Sequence, residues 1–137
     1  LGRRRKDSES EKKETIKSSN DAYTIMLNVF SDLPHEEFWV VYLNRKNEVL
    51  KKENISKGGI NGTVADVKII FKHAIEQLAS SIVLFHNHPS GSLTPSNEDI
   101  KLTKKIKDTG VLMDTPVIDH IIIGEKKYYS FADEGIL

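Results

Sequence analysis

Residues 81–85, SIVLF, form an apolar run without alternation. A strand with one wet face alternates polar and apolar side chains, so an unbroken run suits a central strand covered on both sides. That requirement points to an α/β domain: a mixed sheet with helices packed on its faces. The flanking segments agree. Val67, Ile70, Phe71, Ala74, Ile75 and Leu78 recur at helical spacing and predict one continuous apolar face, with Thr63 placed to cap the helix. SNDAYTIMLNVFSDL, from Ser19, suits a largely buried helix ending before Pro34. EEFWVVYLN predicts a strand over 36–44, and a turn at Arg45-Lys46-Asn47 leads to a second strand over 48–56, making an antiparallel hairpin. Ser96 opens a third helix, with Gly110 as its stop. Residues 111–118 and 119–124 read as extended, and KKYYSF closes a hairpin.

Composition narrows the function classes. A chain of 137 residues allows one domain with a modest core. Twenty basic and twenty acidic side chains cancel, so nothing pulls the chain as a whole toward nucleic acid. Cysteine is absent, which excludes disulfides, thiolate catalysis and thiolate metal ligands. No apolar run approaches the roughly 20 residues that span a bilayer. A cytoplasmic protein is expected, and the N-x-[ST] matches at Asn54 and Asn61 are read as chance. GGING, 58–62, lacks the GK[ST] ending of a phosphate-binding loop. Residues 1–18 are nearly all polar and read as a linker or frayed helix, leaving 19–137 as the domain. Their Arg3-Arg4-Arg5-Lys6 cluster is read as solvated, and the start at Leu1 suggests a piece of a longer chain.

The chemistry is concentrated in HNHPSGSLTPSNED, residues 86–99. Side chains alternate along a strand, so Ile82, Leu84 and His86 share a face, and His88 continues it if the chain stays extended. Pro89 favours this by disfavouring helical geometry at His88. Ser96 and Asp99 form an S-x-x-D capping box. On the helix Asp99 shares a face with Leu102, Thr103 and Ile106, which should look at the core. An inward carboxylate is costly unless paired, and a divalent ion held by His86 and His88 would pair with it. Two His and one Asp leave a fourth tetrahedral position open, the pattern of a catalytic zinc. A lone H-x-H is weak, because paired histidines often only cap or pack; the added Ser-x-x-Asp strengthens it. His35 and His73 read as surface residues, and His120 as a satisfied structural histidine.

His86-x-His88, seven residues, Ser96, two residues and Asp99 resemble the JAMM (JAB1/MPN) metalloprotease motif. The wider string HNHPSG, PSNED, DHIIIG and YYSF resembles the bacterial RadC family more narrowly, from about Pro34 to Leu137. The resemblance implies a cytidine-deaminase-like three-layer α/β/α fold, bound zinc and, in relatives, a preceding helix-hairpin-helix domain. It also implies a glutamate at the first strand. Glu36 and Glu37 are the candidates, and the family pattern, two residues before the strand aromatic Phe38, selects Glu36 and leaves Glu37 as a solvent neighbour. The implied reaction is amide hydrolysis of a peptide or protein. Zinc lowers the pKa of water toward about 7, Glu36 takes and returns the proton, and Ser96 helps stabilise the oxyanion. A zinc deaminase would want cysteine ligands, which the chain lacks. The rival from another class is a non-enzymatic DNA-repair-associated or scaffold module, with weak or no DNA binding by these residues themselves.

Overall fold

The computed structural model describes residues 13–57 and 65–137. Its elements, in chain order, are α1 (Ser19–Phe30), β1 (Glu37–Leu43), β2 (Val49–Lys57), α2 (Val67–Gln77), β3 (Ser81–Asn87), α3 (Asn97–Leu112), β4 (Val117–Ile123) and β5 (Tyr128–Ser130). The strands form one mixed sheet in the order β2-β1-β3-β4-β5. β1 pairs antiparallel with both β2 and β3, β3 pairs parallel with β4, and β4 pairs antiparallel with β5.

β3 is buried along its whole length, as its unalternated run requires. Its side chains divide between two cores. Ile82 and Leu84 pack with Val40, Tyr42, Ile70, Phe71 and Ile106, beneath α2 and α3. Val83 and Phe85 pack on the other face with Ala22, Met26, Phe30 and Ile121, beneath α1. The layers are therefore α/β/α, the architecture expected from the sequence. Each large apolar side chain so covered stabilises the fold by about 1.5–3 kcal/mol relative to exposure.

Several boundaries differ from expectation. Residues 14–16 join the domain: Thr15 bridges Glu48, Val49 N–H donates to the Glu14 carbonyl, and Ile16 is buried under α1. α1 stops at Phe30 and is amphipathic, burying Ala22, Met26 and Phe30 once per turn. Thr63 lies outside the described residues, as do Arg3 to Lys6, the 58–62 loop and Asn61; the side chain that caps α2 is Asp66, accepting from Lys68 N–H. The apolar face of α2 ends at Ala74, with Ile75 58% and Leu78 84% exposed. Gly110 does not stop α3, which runs on to Leu112, so residues 111 and 112 are helical rather than extended. Glycine is needed there for close approach: a Cβ would lie 2.5 Å from the Thr115 carbonyl oxygen.

One irregularity matters for the site. Ile82 pairs with Val117 but Val83 pairs with Asp119, so β4 carries an extra residue, Ile118. A bulge of this kind lets residues three apart share a face. Val117 and His120 both point under α2 and α3, while Ile118 is pushed outward.

Candidate metal centre

β3 delivers His86 at its buried end, and the chain continues to His88 before Pro89 ends the ladder. α3 begins with Ser96 as N-cap, whose Oγ accepts from Asp99 N–H at 3.0 Å while Asp99 Oδ2 accepts from Ser96 N–H at 2.8 Å. This reciprocal cap satisfies two orphan donors of the first turn and turns the Asp99 carboxylate toward β3.

The three side chains converge. His86 Nε2 and His88 Nε2 are 3.0 Å apart. His88 Nε2 lies 3.1 Å from Asp99 Oδ2, and His86 Nε2 lies 3.4 Å from Asp99 Oδ1. Around a tetrahedral ion with bonds of about 2.0–2.1 Å, ligand atoms sit roughly 3.3 Å from one another. The observed spacing fits that geometry. The protonation chemistry fits too. His88 Nδ1 lies 2.8 Å from the Ser92 carbonyl, which can only accept, so Nδ1 carries the ring proton and the neutral ring turns its Nε2 lone pair to the centre. Lone pairs so close to a carboxylate repel unless a cation or a proton lies between them. Among the described residues His86, His88 and Asp99 are the one cluster of this kind, and they can hold a metal ion.

The electrostatics follow. The Asp99 contact lifts the His88 imidazole above its ordinary value, against the lowering effect of burial, with smaller help from the Ser92 carbonyl and the charges of Asp99 and Glu36. Burial alone would raise Asp99. Its hydrogen bonds with His86 and His88, and that from Ser96 N–H, outweigh this and hold the carboxyl well below the usual carboxylate range.

A second layer surrounds the three side chains. His86 Nδ1 lies 2.7 Å from His120 Nε2, and His120 Nδ1 lies 2.6 Å from Thr103 Oγ1. His120 is fully buried, stacked on Phe131 with ring centroids 4.5 Å apart, and burial pushes its imidazole well below its usual pKa. It is thus a satisfied histidine, as expected from the sequence, but one that touches His86. His35 is exposed and His73 partly so; the first bonds Glu37 and the second lies near Glu76.

The two glutamates at the start of β1 differ in their surroundings. Phe38 pairs with His86 across the β1–β3 ladder, and their rings stack at 6.1 Å. Glu36, two residues before Phe38, stands just ahead of β1, near enough to His88 for its charge to act there. Glu37 points through the sheet instead. It is not the solvent residue the sequence suggested but a buried one, bonded to His35 Nε2 at 2.8 Å, Trp39 Nε1 at 2.9 Å and Asn54 Nδ2 at 3.2 Å. Ser96 is exposed beside Asp99. Sequence reasoning overlooked Asn87, Thr103 and the His120 contact as parts of the site. The only signal for Asn87 was its place between His86 and His88.

A mixed sheet between helix layers, with His-x-His leaving a central strand and an aspartate in the first turn of the next helix, defines a JAB/MPN-like domain. The chain belongs to the family described as "RadC-like JAB domain", whose model matches residues 16–136. It is 52% identical to a UPF0758 protein of Flavobacterium johnsoniae over 99% of its own length and 59% of that relative. It is 44% identical to a UPF0758 protein of Porphyromonas gingivalis over its full length and 61% of that protein. A UPF0758 protein of Methanosarcina mazei is 39% identical, again over the full chain and 60% of the relative. The chain thus spans about 60% of the length of the curated relatives it matches.

Proposed function

We propose that this domain is a zinc-dependent hydrolase of peptide or isopeptide bonds. The observation that carries the reading is the convergence of His86 Nε2, His88 Nε2 and the Asp99 carboxylate at the spacing of a three-ligand site. Zinc, when bound, supplies Lewis acidity: it polarises a carbonyl and makes water acidic near neutral pH. Glu36, close enough to His88 for its charge to act there, takes the proton of the attacking water and returns it to the leaving amine. Ser96 Oγ accepts from Asp99 N–H, which leaves its own proton free to donate to the developing oxyanion. His86 and His88 stay neutral as ligands, and the buried layer of Phe38, His120 and Phe131 keeps water from the back of the site.

Beside His88 lies a cavity of about 340 Å³ bordered by Leu27, Phe30, Leu33, Pro89 and Ile123. The cancelling charges support weak, non-specific contact with duplex DNA at most. A cytoplasmic setting belongs to the same reading. No helix among the described residues is long and apolar enough to cross a membrane.

The test is a screen of peptide and isopeptide substrates with purified protein, with chelator and with zinc restored. Cleavage should vanish with chelator and return with zinc. Glu36→Gln should keep its zinc and lose cleavage, because an amide cannot accept the proton. Cleavage indifferent to chelator, or a zinc-loaded protein that leaves every substrate intact, overturns the reading. An active Glu36→Gln beside an inactive Glu37→Gln would move the base to Glu37.

A further inference from the structure

We propose that the hydroxyl of Thr103, which is not itself a candidate ligand, decides which nitrogen of His86 is free to bind metal. The inference rests on the metal reading of the His86–His88–Asp99 cluster and concerns how that cluster is kept competent.

One chain of hydrogen bonds fixes where each proton sits. Thr103 lies on α3 and bonds back to the Asp99 carbonyl at 2.7 Å. A carbonyl oxygen can only accept, so the single hydroxyl proton of Thr103 is committed to it. His120 Nδ1, 2.6 Å from the same Oγ1, must then be the donor. The His120 ring is fully buried, with Phe38 and Phe131 against it. A charged ring there is costly without a paired carboxylate, so His120 is neutral and holds one proton, on Nδ1. Its Nε2 is therefore an acceptor. His86 Nδ1, 2.7 Å away, must be the donor in that contact. His86 is thereby fixed with its proton on Nδ1 and its lone pair on Nε2, the nitrogen that faces His88 and Asp99.

The chain closes on itself. It starts at one ligand, His86 on β3, passes through His120 on β4 and Thr103 on α3, and ends on the backbone of another ligand, Asp99. The bulge at Ile118 gives β4 the register that goes with His120 facing α3. Removing the hydroxyl removes the direction of the chain. His120 could then carry its proton on Nε2 and donate it to His86 Nδ1. His86 would be left with its proton on Nε2, where it blocks metal.

Two readouts test this, and one needs no enzymatic activity or metal. Long-range proton–nitrogen NMR of ¹⁵N-histidine protein, chelated and zinc-loaded, reports the tautomer of each ring. Wild type and Thr103→Ser should show the proton on Nδ1 of both His86 and His120. Thr103→Val, similar in size but without the hydroxyl, should shift His120 toward Nε2–H. Zinc affinity, measured by competition with a chromophoric chelator, should fall about 10- to 100-fold in Thr103→Val and return to within about threefold of wild type in Thr103→Ser. Thermal melting of the chelated variants separates this from loss of fold. An Nε2–H proton on His86 in the chelated wild type overturns the proposal even if no variant folds. So does a folded Thr103→Val with wild-type zinc affinity, or a folded Thr103→Ser that fails to recover it. A wild type with the expected tautomers but no zinc affinity overturns the metal reading instead and leaves the hydrogen-bond chain standing.

Discussion

Asn87 Oδ1 accepts the backbone N–H of Glu37 at 2.8 Å. The other half of the same amide, Nδ2, donates to the His35 carbonyl at 3.1 Å. The residue between His86 and His88 therefore staples down the segment that carries Glu36. One buried side chain ties the proposed base to the strand end that carries His86.

Asn87→Ala should break that staple. A buried N–H left without a partner costs about 1–3 kcal/mol, so urea denaturation should show a loss of that order. Zinc content should stay that of wild type, since no ligand is touched. Hydrolysis should fall by more than about tenfold, because small displacements of a positioned group are expensive. Loss of zinc in step with activity would place the role of Asn87 in the ligands rather than in Glu36.

Asp99 has two duties that substitution can separate. Asn retains an oxygen able to accept from Ser96 N–H, so Asp99→Asn should keep the cap and weaken zinc binding. Asp99→Ala should do both kinds of damage. Chelated Asp99→Ala is expected to be about 1 kcal/mol less stable than chelated Asp99→Asn, the usual worth of a cap. Equal melting points for the two chelated variants would mean that the cap contributes nothing.

The pH response should differ with and without metal. His88 has a raised folded-state pKa, chiefly through its contact with Asp99. A raised value means that the proton stabilises the fold. Its contribution is fully present below the ordinary value of about 6.5 and disappears as pH rises through the folded value. Chelated protein should therefore lose stability as pH rises above about 6.5. His120, with its lowered value, acts only on the acid side of that window. Zinc-loaded protein should gain stability over the same interval, because protons compete with the ion for the imidazoles. Melting curves that run parallel for both forms would contradict this.

Gly110→Ala puts two known effects in opposition. Alanine favours a helix interior by about 1 kcal/mol over glycine. The new Cβ would meet the Thr115 carbonyl at 2.5 Å, and a backbone atom cannot swing aside as a side-chain end can. Overpacking of this kind costs about 1–3 kcal/mol, so the net effect should be destabilising. A higher melting temperature would show that the connection after α3 yields easily.

Much of this was legible in the chain because it depended on local spacing. The unalternated SIVLF run carried the layered fold, and the capping box announced both the start of α3 and the direction of Asp99. What escaped depended on contacts between distant segments. Glu37 looked solvated because Asn54 reaches it only through the pairing of β1 with β2, which completes the set begun by its near neighbours His35 and Trp39. His120 reaches His86 only through pairing of β4 with β3, in a register that the bulge at Ile118 adjusts. Ile16 is apolar within a polar stretch, and its burial follows from the bridge of Thr15 to Glu48, which no period reveals. Gly110 was misread because a glycine that admits a neighbouring backbone has the same letter as one that ends a helix.

The reciprocal bonds between Ser96 and Asp99 bear on speed as well as strength. Asp99 is clasped by its own helix start, so its torsional freedom is surrendered when the chain folds and not when an ion arrives. An incoming ion meets a carboxylate already waiting at its station. If a metal binds as proposed, α3 would not have to rearrange to receive it.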